Sequence, residues 1–256
     1  MKKINLSFFL DKYHTDIKNI LQAGSHIGQE IPLFEKFTFN KIFLFEPDLK
    51  VFNVLLKNIS NYENFYAHNF ALGNVNQDRV MFYTSNENFG QSSSLLKPNL
   101  HKKIQSNITF ENNNYVNLRR FEDLEISDVN FLIMDVQGYE LEVLRGFGKK
   151  ILNLDFIFTE VNRKSLYEDN VYIKDLDSYL KEHNFIRIWT SWRKSTMPWG
   201  DAFYIKTNNL SMFQKKLFQL LNLIKTNKLY FTLYFILDYK THTERIKIKL
   251  KKILKY

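Results

Sequence analysis

Apolar runs of five to nine residues recur along the first 206 residues and alternate with stretches of helical periodicity. The runs are rich in Ile, Phe, Val and Tyr, which fit a pleated and buried backbone, so they predict strands. The predicted strands cover residues 17–23, 41–46, 64–72, 79–85, 129–136, 154–161, 185–192 and 202–206.

Helical patterns fill most of the gaps between these strands, at residues 27–37, 48–59, 139–147 and 173–183. In the second of them Asp48 suits the N-cap position, and Val51, Leu55 and Ile59 share one face. This alternation predicts an α/β fold with a doubly wound, mostly parallel sheet that helices cover on both faces. The last two strands leave no room for a crossover helix, so we expect an antiparallel hairpin there.

Composition narrows the class of protein. The chain has 256 residues, of which 45% are hydrophobic, enough for one large domain with a sizeable core. Cysteine is absent, which removes disulfides, thiolate metal sites and cysteine nucleophiles and suits a reducing compartment. Residues 1–16 contain a short apolar run and no small-residue cleavage site. We therefore expect a cytoplasmic protein that starts with a strand or a helix.

The net charge of +9 is unevenly distributed. Residues 207–256 hold 11 of the 36 basic and 2 of the 27 acidic residues, so the remaining 25 of each sign cancel. A neutral body argues against a nucleic-acid-binding surface over the whole protein. Any contact with a polyanion must involve the basic C-terminal segment.

Ligands of open parallel sheets bind beyond the carboxyl ends of the strands, so the residues that follow each strand are candidates. Residues 24–28, Gly-Ser-His-Ile-Gly, follow the first strand. Such glycines let a ligand approach the backbone, although a plain strand-to-helix turn explains them equally well. Glu46 ends the second strand 22 residues after Gly24, where an acidic side chain can bind ribose hydroxyls. With Asp48 as the helix cap, Glu46 is free for a nucleoside ligand.

Other strand ends carry polar groups as well. Residues 69–74 end the third strand, and within them Ala71, Leu72 and Gly73 form either an apolar wall for an adenine ring or a strand followed by an ordinary turn. Asp135 emerges from the buried run 129–134, and Glu140 starts the next helix, where a carboxylate is favoured. Glu160 and Asn162 end the following strand. We expect Asp135 and Glu160 to face one cleft.

Seven segments together resemble, in order and spacing, the FkbM-type family of S-adenosylmethionine-dependent methyltransferases: LQAGSHIGQE, FLFEPD, NFALGN, GQSSSLL, FLIMDVQGYELEVLRGF, FTEVNRKSLY and GDAFYI. The resemblance covers roughly residues 17–206, and DVQGYELEVLRG is its most specific element. It implies the Rossmann-like class I methyltransferase fold, with a mostly parallel seven-stranded sheet and an antiparallel final hairpin. It also implies methyl transfer, usually to a hydroxyl oxygen of a sugar or another small molecule.

The resemblance implies S-adenosylmethionine as the cofactor and assigns roles by motif. It places Gly24, Ser25, His26 and Gly28 around the methionine part, Glu46 at the ribose, Asn69, Phe70 and Ala71 near the adenine, and Asp135 and Gln137 near the transferred methyl group. Residues 90–96 would form part of the acceptor pocket. One position departs from the class I pattern. Many of these enzymes have an acidic residue two before the first glycine, whereas this chain has Gln22.

Methyl transfer to a hydroxyl requires that the acceptor be aligned and that its proton be removed. The candidate catalytic bases are Asp135, Glu160, His26 and Glu140, and the sequence leaves the choice open. Glu140 could instead brace the cofactor loop, and His26 could orient the cofactor. A second route places a divalent cation such as magnesium on the oxygen donors of Asp135, Glu160 and Asn162. Near the final hairpin, Trp199 with Arg193 and Lys194 could contact a nucleotide-linked sugar.

The predicted catalytic domain comprises residues 1–206, and residues 207–256 form a basic amphipathic extension. The longest apolar run in this extension has nine residues, too few to span a membrane. Three interpretations stay open. The extension packs on the body, mediates a homo-oligomer, or lies on the anionic inner face of a membrane.

The predicted function is that of an S-adenosylmethionine-dependent O-methyltransferase. Its acceptor would be a small molecule, most simply a sugar or nucleotide-linked sugar destined for a surface polysaccharide of the capsule or lipopolysaccharide type. The alternatives are an RNA- or protein-directed methyltransferase anchored by the basic extension, and a non-catalytic S-adenosylmethionine-binding module. The neutral body argues against the first alternative, and the joint presence of Glu46, Asp135, Gln137 and Glu140 argues against the second.

Overall fold

The structure is a computed structural model that describes residues 5–100, 104, 107–192 and 197–212. The helices are α1 Leu6–Tyr13, α2 Ile31–Phe34, α3 Leu49–Ile59, α4 Glu140–Gly146 and α5 Ile173–Glu182. The strands are β1 Asn19–Ala23, β2 Lys41–Phe45, β3 Phe65–His68, β4 Ala71–Leu72, β5 Gln77–Ser85, β6 Phe110–Arg119, β7 Val129–Met134, β8 Phe156–Asn162, β9 Phe185–Trp192 and β10 Trp199–Lys206. Short 3-10 helices cover residues 121–123, 148–153 and 207–209.

The main sheet has seven strands in the order β3-β2-β1-β7-β8-β10-β9. Strands β3, β2, β1, β7 and β8 are parallel, whereas β10 pairs antiparallel with both β8 and β9. This order confirms the predicted doubly wound, mostly parallel sheet with an antiparallel final hairpin. The chain builds outward from β1 to β3 and then returns to β7 on the other side of β1. The strand order therefore reverses between β1 and β7, which is where ligands of such sheets bind.

A second sheet of three strands, in the order β4-β6-β5, lies outside the predicted scheme. The single strand predicted for residues 64–72 was wrong, because β3 belongs to the main sheet and β4 to the second. The strand predicted at 79–85 exists, but it is part of β5 and pairs with β6, which the sequence pattern did not predict. Asn114 of β6 donates to the carboxylate of Asp48 at 2.9 Å, so this sheet contacts the start of α3.

Hydrophobic side chains cover both faces of the main sheet. Ile20 and Phe131 pack on one face with α1, α2 and α3, while Leu21 and Leu132 pack on the other face with α4 and α5. Neighbouring residues of one strand thus enter opposite layers, as the pleat requires. Among the residues that the structure describes, no helix combines the length and apolar character needed to cross a bilayer.

The predicted helices form at the expected places, with one clear difference. Asp48 caps α3 by accepting from the backbone N–H groups of Lys50 and Val51, as predicted. The first predicted helix, at 27–37, was too long, because α2 covers only Ile31–Phe34. Pro32 suits the first turn of a helix but not its interior, and the residues just before α2 form a loop with left-handed backbone. This loop contributes to the site.

Candidate functional site

A cavity opens at the carboxyl ends of β1, β2 and β7, at the point where the strand order reverses. The second sheet closes it from the side through Ala71, Leu72 and Phe82. The predicted site residues that line it are Gly24, His26, Glu46, Ala71, Asp135 and Gln137. Leu72, predicted for the apolar wall, lines the cavity as well. Other lining residues were not assigned a role from the sequence: Gln22, Gln29, Glu30, Phe45, Pro47, Phe82, Val136 and Tyr139.

The glycine loop after β1 approaches the end of β7 closely. Gly24 has a φ of +77°, and a Cβ atom built on it would lie 2.0 Å from the carbonyl oxygen of Asp135. Only glycine therefore permits these two strand ends to meet. The N–H groups of Gly24 and Ser25 both donate to the carbonyl oxygen of Phe45 at 3.0 Å, which ties the loop to β2. Ser25 itself is buried, and its hydroxyl donates to the carbonyl oxygen of Gln22.

Glu46 connects the glycine loop to the start of α3. One carboxylate oxygen accepts from the backbone N–H of His26 at 3.0 Å, and the other accepts from that of Asp48 at 2.9 Å. The side chain is 6% exposed, and this burial raises the pKa of Glu46 to about 7 despite the two hydrogen bonds. Asn69 donates to the carbonyl oxygens of Glu46 and Pro47, both at 3.0 Å. Glu46 thus lies where the sequence predicted a ribose ligand, with its orientation fixed.

The adenine neighbours assigned by resemblance divide into two groups. Ala71 lines the cavity, whereas Asn69 and Phe70 lie behind it. Asn69 holds the loop after β2, as described above, and the ring of Phe70 packs edge-on against Phe45 with centroids 5.4 Å apart. Ala71 and Leu72 of the predicted apolar wall do line the cavity, together with Phe45.

Gln137 joins the two predicted carboxylates at the ends of β7 and β8. Its amide nitrogen donates to Asp135 at 2.6 Å and to Glu160 at 3.4 Å. The hydroxyl of Tyr167 lies 2.9 Å from the amide oxygen of Gln137 and 2.8 Å from the carbonyl oxygen of Ser92, and it shares its proton between them. Asp135 and Glu160 therefore lie on either side of Gln137. Asp135 lines the cavity, whereas Glu160 is buried and is not among the lining residues, so the prediction that both face one cleft holds only for Asp135. Tyr167, which fixes Gln137, was not assigned a role from the sequence.

The two remaining candidate bases are engaged elsewhere. Glu140 is fully buried and accepts from the N–H groups of Gly138 at 3.2 Å and Val136 at 3.4 Å, so it braces the turn after β7. Burial raises the pKa of Glu140 to about 7. Both ring nitrogens of His26 have partners: Nε2 lies 3.2 Å from the carbonyl oxygen of Phe89, and Nδ1 lies 2.7 Å from the amide nitrogen of Gln29. These partners fit a neutral ring in which Nε2 donates and Nδ1 accepts.

The predicted acceptor segment at 90–96 lies beside Asp135 and Gln137. Gly90, Gln91, Ser93 and Leu95 line the cavity. The hydroxyl of Ser94 donates to the carbonyl oxygen of Gln137 at 2.9 Å, which fixes the segment against the turn after β7. A ligand at this end of the cavity would contact both, so the acceptor role stays a prediction that the geometry allows.

The geometry supports the predicted metal site less well than it supports a general base. Within the described ranges, no group of three or more His, Cys, Asp or Glu side chains is placed to hold a cation. Asn162, the third predicted ligand, is 1% exposed, and neither atom of its amide has a hydrogen-bond partner among the described residues.

Two groups of predictions are not described by the structure. Arg193 and Lys194, proposed for a nucleotide-linked sugar, lie outside the described residues. The basic extension is described only as far as residue 212, so its packing, oligomer and membrane alternatives stay predictions.

Comparisons with known proteins show what the chain is similar to. A family model described as the methyltransferase FkbM domain matches residues 22–187. The 2-O-methyltransferase NoeI of Sinorhizobium fredii is 25% identical over 165 residues, which are 60% of this chain and 68% of that protein. The crystal structure of methyltransferase FkbM from Methylobacillus flagellatus is 14% identical with a TM-score of 0.48, and the match covers 74% of this chain and 44% of that one. The chain therefore spans less than half the length of this solved structure. Magnesium protoporphyrin IX methyltransferase from Synechocystis, solved with bound SAM, is 9% identical with a TM-score of 0.44, over 80% of this chain and 86% of that one.

Proposed function

Because this chain belongs to the FkbM methyltransferase family, we propose that it transfers a methyl group from S-adenosylmethionine to a hydroxyl oxygen of a small molecule. The observation that carries the proposal is the cavity where Gly24, Glu46 and Asp135 meet from three strand ends. The name of the curated relative, a 2-O-methyltransferase, supports oxygen as the methylated atom. The proposed acceptor is a sugar or nucleotide-linked sugar of surface polysaccharide synthesis, as the resemblance to the family implies.

The lining residues suit the parts of this cofactor. Each carboxylate oxygen of Glu46 uses one lone pair on a backbone N–H and retains another for a ribose hydroxyl. The apolar wall of Phe45, Ala71 and Leu72 suits an adenine ring. Gly24 lines the cavity, and its lack of a side chain lets the ends of β1 and β7 meet there.

When bound, S-adenosylmethionine supplies a methyl group activated by its sulfonium sulfur. The chain must hold the acceptor hydroxyl in line with that group and take up its proton as the new C–O bond forms. We assign the proton to Asp135, which lines the cavity, is exposed, and is oriented by Gln137 at 2.6 Å. Glu160 is only 6% exposed, and Glu140 is fully buried.

The cofactor is tested first, by isothermal titration with S-adenosylhomocysteine. We expect wild-type protein to bind it and Glu46→Ala to lose binding, because the mutation removes both the ribose acceptor and the tie between the glycine loop and α3. The matched control is Glu63→Ala, since Glu63 is an exposed glutamate away from the cavity. A folded wild-type protein that does not bind S-adenosylhomocysteine would contradict the proposed function.

The base is tested next, with nucleotide-linked sugars as acceptors and release of S-adenosylhomocysteine as the readout. Asp135→Asn should lower kcat by roughly 10²- to 10⁴-fold, the usual contribution of a general base. Its affinity for S-adenosylhomocysteine should stay within a few-fold of wild type, and Glu160→Gln should lose less activity. Full turnover by Asp135→Asn would refute its role, and the absence of turnover with every sugar tested would refute the acceptor class.

A further inference from the structure

We propose that Glu30, positioned by Gln22, binds the cationic α-amino group of the methionine half of the cofactor. This inference rests on the proposed function and adds one contact to it. It concerns the position at which this chain departs from the class I pattern, where Gln22 replaces an acidic residue. The negative charge would then come from a residue eight positions later, on the loop that precedes α2.

The first observation is a buried amide paired with a partly buried carboxylate in the cavity wall. The amide nitrogen of Gln22 donates to a carboxylate oxygen of Glu30 at 3.0 Å, and both residues line the cavity. Gln22 is 4% exposed, and its amide oxygen has no hydrogen-bond partner among the residues that the structure describes. A buried acceptor without a donor is unfavourable, so this oxygen suits a ligand that donates to it.

The second observation is the charge of the cavity wall. The residues that line it include the carboxylates of Glu30, Glu46 and Asp135, and within the described part of the chain they include no lysine or arginine. Burial raises the pKa of Glu30, the hydrogen bond from Gln22 opposes this shift, and the charge of Asp135 raises it further. A cationic group of the ligand beside Glu30 would relieve both unfavourable effects.

An ammonium group matches this pair of acceptors. It presents three N–H donors, which suffice for the carboxylate of Glu30 and the amide oxygen of Gln22 together. The pair lies next to Gly24 and His26, around which the methionine half of the cofactor is predicted to bind. The alternative, a metal ion, finds no group of three ligating side chains in the described ranges. The nucleoside half, which carries no ammonium group, would lie on the side of Glu46.

The test compares two ligands that share the nucleoside and differ in the amino acid. Isothermal titration would measure S-adenosylhomocysteine, which carries the α-amino group, and 5′-methylthioadenosine, which lacks the amino acid. Glu30→Gln keeps the size of the side chain and an acceptor for Gln22. We expect it to weaken S-adenosylhomocysteine binding at least tenfold and to change 5′-methylthioadenosine binding less than twofold. The latter also shows that the variant is folded.

A rescue variant sharpens the test. Exchanging the pair, as Gln22→Glu together with Glu30→Gln, keeps one carboxylate and one amide in contact and should restore most of the preference for S-adenosylhomocysteine. Equal weakening of both ligands by Glu30→Gln, or no weakening of either, would overturn the proposal. Failure of wild-type protein to bind either ligand would instead refute the cofactor assignment, so the two failures are distinguishable.

Discussion

Binding of the nucleoside should weaken as the pH falls below 7, because Glu46 must be ionised to accept from two ribose hydroxyls. Burial raises the pKa of this carboxyl to about 7, against the opposing effect of the N–H groups of Asp48 and His26. Two further donors from the ligand would favour the carboxylate and lower its pKa in the complex. Binding therefore releases a proton wherever the free protein still holds it.

The size of the effect follows from the pKa of about 7 for Glu46 in the free protein. Roughly nine-tenths of the free protein is protonated near pH 6 and about one-tenth near pH 8, so affinity should be about tenfold lower at the lower pH. The assay is isothermal titration with 5′-methylthioadenosine, which has no group that titrates in this range. Buffers of different ionisation enthalpy would report the released proton directly.

The control is Glu46→Gln, which has no ionisable group at this position. Its affinity should be lower than that of wild type, because an amide nitrogen would replace one acceptor, and it should vary little between pH 6 and pH 8. A wild-type affinity that stays constant over this range would refute the reasoning. The same tenfold dependence in Glu46→Gln would assign it to another group, such as Glu30.

Three further predictions concern stability. The pKa of Glu140 rises from 4.5 to about 7 on folding, so the folded state binds more protons in this window and stability falls as the pH rises through it. When the pH is raised from about 5 to about 8, the free energy of unfolding of Glu140→Gln should rise by up to roughly 3 kcal/mol relative to that of wild type. Chemical unfolding measures this change, and a difference between the two proteins that is the same at both pH values would contradict the prediction. Gly24→Ala should lose S-adenosylhomocysteine binding and lower the melting temperature, since its Cβ would lie 2.0 Å from the carbonyl oxygen of Asp135; unchanged binding would show that the strand ends can separate. Asp48→Ala should lower the free energy of unfolding in urea by about 1–2 kcal/mol, because the α3 cap is lost, and Asp48→Asn should restore most of this loss.

The main sheet could be predicted because its central strands are buried on both faces. In β7 every residue from Val129 to Met134 is buried, which produces an apolar run that polar surface segments do not imitate. The same burial makes the first polar residue after a run conspicuous, which is how Glu46 and Asp135, both in the cavity wall, were singled out. Glu160 lies within β8 and does not line the cavity. These predictions depend on local composition and on one general rule about strand ends.

The second sheet could not be predicted from such runs. Strand β6 contains the sequence ENNNYVN, and its buried residues Val116 and Leu118 alternate with polar ones. Three asparagines in succession favour a loop by propensity, but here the pairing with β5 overrides that preference. The break between β3 and β4 was missed because apolar residues continue on both sides of it, with only His68 and Asn69 to mark the change of sheet.

Several contacts of the site depend on backbone conformations that the sequence does not reveal. His26 has a φ of 49° and Gln137 a φ of 53°, both in the left-handed region that non-glycine residues rarely adopt. These conformations direct the N–H of His26 at Glu46 and accompany the contact of Gln137 with Tyr167, 30 residues later. Gln29 and Glu30 directly follow the second glycine, and this polar pair was the one sequence feature that pointed to this part of the cavity wall. Its spacing alone did not indicate what the pair does.

The buried carboxylates at the strand ends serve two purposes that conflict in the free protein. Glu46 and Glu140 each accept from two backbone N–H groups and so hold the turns that follow β2 and β7. The two N–H groups at Glu46 use different carboxylate oxygens, so a glutamine there would place its amide donor against one of them. At Glu140 both N–H groups use the same oxygen, so a glutamine can keep both hydrogen bonds. Burial makes the charged form of both residues unfavourable near neutral pH, which destabilises the free protein. A ligand that donates to Glu46 removes part of this cost, so the cofactor should stabilise the fold more strongly at pH 8 than at pH 6.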